Sequence, residues 1–261
     1  MERMPVATDL SRFPSSLHPL LEGACLYDSS CSPEARVWFI HRDSGYYLKT
    51  SASGSLKKEA SLTDYFHRLG LAAQVLHYES SDADWLLTKA IPGEDCIHRQ
   101  YLDDPKRLSE TTGLLLRQLH ETDFTDCPVP DRTADYIAAV RENRHLGKWD
   151  LSLFPEGSGF RNESEAWSVV QEFSEALKTD TLIHGDYCLP NIMLDNWNFS
   201  AFLDLGNAGV GDRHIDLFWG AWTLIFNFKT DVWCRRFLDA YGRDRFDPEI
   251  LRAISAFEVF G

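Results

Sequence analysis

From residue 24 to residue 50 the apolar positions fall in short blocks bounded by turn-forming residues. "ACLYD" and "ARVWFIH" are separated by the Ser/Pro cluster "SSCSPE", and "GYYLKT" follows an Asp-Ser-Gly turn, so three strands are predicted here. The pattern then switches. In "SLKKEASLTDYFHRLG" the apolar residues stand at 56, 62, 65, 66 and 69, a helical stripe that ends on Gly70. "AAQVLHYES" and "DWLLTKA" return to strand patterning, and "IPGED" punctuates the chain at 91–95. Beyond it the spacing is helical in "DPKRLSETTGLLLRQLHETD", "DRTADYIAAVRENRHL" and "ESEAWSVVQEFSEALK", and again from about residue 214. This order predicts an α+β chain in two lobes: a small β-rich one over residues 1–90 and a larger, mainly helical one over 91–261. No internal repeat or low-complexity segment interrupts it.

One stretch of the helical half breaks the pattern. Residues 182–206, "LIHGDYCLPNIMLDNWNFSAFLDLG", read as strand, loop, strand, a tight turn within "DNWN", and a last strand ending on Asp204-Leu205-Gly206. Such a hairpin brings Asp204 back beside a loop that carries His184, Asp186 and Asn191. Converging carboxylate and amide oxygens suit Mg²⁺, a hard cation that keeps phosphate oxygens in its shell. A carboxylate left free of metal can accept a hydroxyl proton. The spacing from Asp186 to Asn191 is that of HRDxxxxN in protein kinases, and Asp204-Leu205-Gly206 stands where Asp-Phe-Gly would. Any one of these residues alone reads as an ordinary loop or turn residue; all of them in this order do not.

Phosphoryl transfer of this kind also needs an upstream lysine for the nucleotide phosphates and a helical glutamate to orient it. Lys49 at a strand end and Glu59 on the following helix meet that need. Neither GxGxxG nor GxxxxGK[ST] occurs in the chain, which disfavours a P-loop kinase or a Rossmann enzyme.

Composition narrows the reading further. Hydrophobic residues make up 44% and charged residues 25%, ordinary for a globular protein. The apolar runs fall well short of a membrane span of ~20 residues. No secretory h-region opens the chain, and the six cysteines show no CxxC pair, so a cytoplasmic protein with reduced thiols is expected. A net charge of −14 argues against nucleic acid as partner and favours a cationic one.

With these residues in place, the sequence resembles the aminoglycoside phosphotransferases, above all the 3'-phosphotransferase (kanamycin kinase) branch. The resemblance spans nearly the whole chain, through "SCSPEARVWFI", "YYLKT", "LLTKAIPGED", "LLLRQLHETDFTDCP", "HGDYCLPN", "FLDLGNAGVGDRHIDL" and the terminal "FEVFG". It implies a bilobal protein-kinase-like fold with ATP as co-substrate, Mg²⁺ as cofactor and an aminoglycoside antibiotic as acceptor. Asp186 would be catalytic, with Asn191 and Asp204 as metal ligands. Lys49, paired with Glu59, would hold the α/β-phosphates, and Ser32 would contact phosphate in place of a Gly-rich loop. Tyr47 would stack on adenine, while the backbone around Lys89–Ile91 would read its edge.

Departures cluster in the acceptor-binding part. Relatives place an arginine after Asp-Leu-Gly, where this chain has Asn207. Some carry an acidic pair on the next helix, where it reads Phe226-Asn227. Candidate acceptor residues are Asp150 and Glu156 in one loop, with Lys148 nearby, and Glu258 with Phe260 at the end of the chain. The C-terminal helix is expected to bury Leu251, Ile254 and Phe257. Alternative readings are a related small-molecule kinase acting on a choline-like, macrolide or metabolic sugar acceptor, and a nucleotide-binding pseudokinase.

Overall fold

The computed structural model describes residues 4–6, 9–30, 35–152 and 159–261. The chain divides into two compact units. The first comprises Met1–Gly93 together with Ser200–Gly206; the second comprises Glu94–Phe199 and Asn207–Gly261.

The first unit is built on an antiparallel sheet of β1 (Met4–Val6), β2 (Cys25–Asp28), β3 (Arg36–His41), β4 (Tyr46–Ala52), β5 (Val75–Ser80) and β6 (Ala83–Lys89), in the order β1-β2-β3-β4-β6-β5. Alternation along its strands sends side chains to two different cores. On one face Leu26, Trp38, Ile40, Leu48 and Leu87 pack with Leu17 and Leu21 from the segment that contains α1 (His18–Leu21). On the other face Leu86 meets Leu56 and Ala60, at the start of α2 (Lys57–Arg68). Asp84, fully buried, anchors this junction by accepting the N–H groups of Gly54 and Leu56 and the Tyr78 hydroxyl. The N-terminal segment from Leu10 to Leu21, made of 3₁₀ turns and α1, was not legible as regular structure because it is too short to show a period.

The second unit starts with β7 (Glu94–Asp95), within the stretch that reads as punctuation, and α3 (Arg99–Leu102). Its main helices are α4 (Pro105–His120), α5 (Arg132–His145) and α6 (Glu163–Phe173). Each opens on a side chain that accepts a backbone N–H two or three residues into the helix: Asp104, Asp131 and Asn162. α6 ends at Phe173, short of Lys178, and the Ser174 hydroxyl donates to the Val170 carbonyl in its last turn.

Then come β8 (Thr181–Ile183), β9 (Ile192–Asp195), β10 (Asn198–Phe202), whose last three residues belong to the first unit, and β11 (Gly209–Gly211). Asn196 and Trp197, both at positive φ, form the two-residue turn between β9 and β10. α7 (Arg213–Phe228), α8 (Val232–Tyr241) and α9 (Pro248–Glu258) complete the unit. α4 and α8 approach so closely that a Cβ at Gly113 would stand 2.5 Å from the Phe237 carbonyl oxygen. α9 buries Ile254 and Phe257 as its periodicity predicts, with Leu251 half-buried.

Candidate active site

In the first unit, Tyr47 and Lys49 share a face of β4, opposite to the buried Leu48. Lys49 pairs across the sheet with Leu86, whose side chain packs against the start of α2. The same face therefore meets α2, and Glu59 lies one turn into that helix. The Lys49 ammonium sits 2.8 and 2.9 Å from the two Glu59 carboxylate oxygens, and 2.9 Å from Asp204 Oδ1. Burial works against the charge on Lys49, but the Asp204 and Glu59 carboxylates outweigh it and hold its pKa above the ordinary lysine value. Asp204 itself is largely exposed and adopts a left-handed backbone, φ 52°, which aspartate tolerates better than most residues.

Two of the backbone groups expected to read adenine are already engaged. The Lys89 N–H donates to the Gln74 carbonyl and the Ala90 N–H to that of Gly45; Ile91 makes no such bond among the described residues. Tyr47 is half-buried, its ring centroid 5.3 Å from that of Phe39. Ser32 lies outside the described residues.

In the second unit, the loop after β8 is held by its backbone. β8 is entirely buried and pairs with β11. The N–H groups of His184 and Gly185 both donate to Asp216 on α7, each at 2.7 Å, and His120 approaches the same carboxylate at 3.1 Å. Gly185 is obligatory: its φ is +80°, and a Cβ there would fall 1.9 Å from the Asn207 carbonyl oxygen. The Tyr187 hydroxyl braces the loop against α4 by donating to the Thr112 carbonyl. So fixed, the loop presents Asp186. The Asn191 amide nitrogen donates to Asp186 Oδ2 at 2.9 Å and to its carbonyl oxygen at 3.0 Å. That orientation points the Asn191 amide oxygen away from Asp186.

The departures noted in the sequence have local consequences. Arg132, at the start of α5, donates to the Asn207 carbonyl and to its side-chain oxygen at 2.8 and 3.2 Å. A cation thus stands on Asn207 itself, although residue 207 is not arginine. Glu258 is buried, 8% exposed, and accepts a hydrogen bond of 2.7 Å from the Tyr136 hydroxyl and another from the Trp219 side chain. Burial pushes its carboxyl up to about 7, with the nearby Asp186 charge adding to the effect. Among the described residues no lysine or arginine forms an ion pair with it.

Phe260, expected to face the acceptor, instead has its ring in the core, 1% exposed and edge-on to Trp167 at 5.7 Å. A ring so enclosed offers no face to a ligand; it fixes the helix end that carries Glu258. Asp150 is exposed, its carboxylate accepting from Ser152, and its backbone N–H donates to the Val259 carbonyl. The Asp150 loop and the Glu258 segment are thereby joined. Glu156 lies outside the described residues. Asp216, Tyr136, Arg132 and Trp219 were not singled out from the sequence. The available signal was an aspartate inside the apolar stripe "HIDLF" of a helix, a position that burial makes meaningful only when it is hydrogen-bonded.

A lysine–glutamate pair with an aspartate beside it, and a braced loop carrying an aspartate and an asparagine, are the parts of a phosphoryl-transfer enzyme. Residues 32–254 match the model of the phosphotransferase enzyme family. A probable aminoglycoside 3'-phosphotransferase of Lactococcus lactis subsp. lactis (strain IL1403) is 48% identical over 254 residues, 97% of each chain. An aminoglycoside 3'-phosphotransferase of Streptomyces fradiae is 29% identical over 91% of each. Among solved structures, a type VIII aminoglycoside 3'-phosphotransferase superposes with a TM-score of 0.72, at 22% identity over 96% of both chains. An aminoglycoside phosphotransferase of Streptomyces rimosus, in complex with ADP and streptomycin, gives a TM-score of 0.74 at 19% identity, covering 97% of this chain and 99% of that one. The chain belongs to the aminoglycoside phosphotransferase group of the phosphotransferase enzyme family.

Proposed function

We propose that the protein transfers the γ-phosphoryl group of ATP to a hydroxyl of an aminoglycoside antibiotic, the 3'-hydroxyl where the acceptor has one, and so confers resistance. The observation that supports this acceptor most directly is Glu258, a buried carboxylate with no ion-pair partner among the described residues, in the same unit as Asp186. Burying an unpaired carboxylate is costly, and an ammonium group arriving from a ligand relieves that cost.

In the transfer, the acceptor oxygen forms a bond to the γ-phosphorus while the bond from that phosphorus to the β–γ bridging oxygen breaks, releasing ADP. Asp186 accepts the hydroxyl proton. Lys49, held by Glu59, binds the α/β-phosphates, Tyr47 stacks on adenine, and the Ile91 N–H with the Lys89 backbone reads its edge. Ser32 contacts phosphate through its hydroxyl. The residues that the resemblance assigns to magnesium carry hard oxygens only, the Asp204 carboxylate and the Asn191 amide, a chemistry that suits an ion bound largely through water and phosphate oxygens. Held there, magnesium would neutralise the charge developing on the transferred phosphoryl group. Asp150 and Glu156 would supply outer carboxylates to the acceptor. The protein acts in the cytoplasm, where ATP is available.

The test is susceptibility of an expressing bacterium, together with NADH-coupled turnover, across kanamycin, neomycin, spectinomycin, erythromycin and choline. Protection against and turnover of 3'-hydroxyl aminoglycosides is the expected result. Turnover confined to erythromycin or choline would sink the proposal.

A further inference from the structure

The first turn of α5 lies against β11 at a distance that only glycine permits. The Val210 N–H donates to the Val129 carbonyl at 2.9 Å. A Cβ at Gly209 would stand 2.8 Å from Val129 Cγ1 and 3.0 Å from Arg132 Cβ; one at Gly211 would stand 3.4 Å from Arg132 Cβ. Glycines inside a strand mark such close approaches of another segment. Here they make room for Arg132, which opens the helix.

The guanidinium so placed turns its rigid fork on one residue. Its Nε donates to the Asn207 carbonyl at 2.8 Å, and its Nη2 donates to Asn207 Oδ1 at 3.2 Å. The loop of Asp186 touches the same carbonyl, since a Cβ at Gly185 would fall 1.9 Å from it. Gly185 directly precedes Asp186, so a shift of that carbonyl reaches the Asp186 side chain through a single peptide unit. One turn further along α5, the Tyr136 hydroxyl donates to Glu258 at 2.7 Å, and Arg132 Cζ lies 6.0 Å from the Tyr136 ring centroid. One helix therefore braces both the loop of Asp186 and the buried carboxylate.

We propose that Arg132 is a positioning residue for phosphoryl transfer. It acts through Asn207: by fixing that carbonyl against Gly185, it sets the direction of the Asp186 carboxylate relative to Glu258. It contacts neither substrate. This inference rests on the reading that Asp186 accepts the proton of the acceptor hydroxyl. Misplacing a reacting group by about an ångström costs on the order of 10²-fold, so a loosened Asn207 should appear in kcat and not in binding.

The test is a double-mutant cycle of Arg132→Met and Asn207→Ala in the full-length protein, assayed with kanamycin and ATP. Arg132→Met should lower kcat about ten- to a hundredfold and leave both KM values within about twofold of wild type. Asn207→Ala keeps the carbonyl and loses only the longer hydrogen bond, so kcat should fall about threefold. The double variant should be no slower than Arg132→Met alone, because the two residues act as a unit. Arg132→Lys keeps a donor for the carbonyl and should recover part of kcat; it carries the test if the methionine variant does not fold. Amide hydrogen exchange across residues 184–187 should be faster in Arg132→Met, a readout independent of turnover. Wild-type kcat in a folded Arg132→Met enzyme, or additive losses in the cycle, overturns the proposal and leaves the proposed activity standing. A raised kanamycin KM with kcat intact overturns it as well, by making Arg132 a binding group. Wild-type protein that turns over no aminoglycoside overturns both.

Discussion

The charges of the first unit and those of the second are handled in opposite ways. Lys49, Glu59 and Asp204 form a closed set in which the lysine lies within 2.9 Å of both carboxylates. Glu258 has hydrogen bonds from neutral groups only and stays buried. The first arrangement is complete before any ligand arrives, which suits the constant substrate proposed for it, a nucleotide. The second is left electrically incomplete, so that a cationic ligand improves it. Pre-pairing favours a fixed geometry; a withheld partner favours selection of what binds.

The contrast is broken most severely at Asp186, which belongs to neither set. Asp186→Ala should lower kcat on the order of 10²–10⁴-fold, the contribution of a positioned general base. Nucleotide binding should persist, because Lys49 and the proposed metal ligands Asn191 and Asp204 are intact. Retention of more than about a tenth of kcat in stopped assays would remove Asp186 from the role.

Next in size is Lys49→Ala, which opens the closed set. Charge-assisted hydrogen bonds contribute about 1.5–3 kcal/mol, so kcat/KM for ATP should fall on the order of ten- to a hundredfold while acceptor KM moves little. Glu59→Gln should follow in the same direction and more weakly. If acceptor KM responds most, the set has been assigned to the wrong substrate.

Glu258→Ala should raise KM for kanamycin about tenfold, by the loss of one such contact, and leave KM for ATP within error. The wild-type dependence on pH sharpens this point. The Glu258 carboxyl is pushed up to about 7, so acceptor KM should rise as pH falls through that value and the carboxylate is lost. A flat acceptor KM between pH 8 and pH 6 would exclude Glu258 as the ammonium partner.

The smallest expected effect is on stability. Between an unfolded carboxyl near 4.5 and a folded one near 7, the native protein binds more protons than the unfolded chain, so its stability falls as pH rises through that window. Glu258→Gln removes the penalty and should raise Tm at pH 8, by an amount corresponding to on the order of 2–3 kcal/mol, but not at pH 4.5. Equal shifts at both pH values would mean that burial of the charge is not the cause.

Much of the first unit was legible in the sequence because it depends on short-range rules. A period of two along β4 fixes which face Lys49 takes, and a period of 3.6 brings Glu59 round to meet it. The loop of Asp186 and Asn191 was legible from spacing alone. What could not be read was burial contributed by distant residues. Nothing near Glu258 announces that Tyr136, more than a hundred positions earlier, covers it. Phe260 occupies a matching position in the chain, yet its ring belongs to the core with Trp167. Asp216 has the local look of an intruder in an apolar helix, and only the fold shows the His184 and Gly185 amides converging on it.

Asp216 stands where elements far apart in the chain cross. One carboxylate on α7 takes the consecutive amides of His184 and Gly185 after β8 and meets His120 in the last turn of α4. It works as a keystone: remove it and two helices and a loop lose the same wedge at once, although of the three only α7 is its neighbour in sequence.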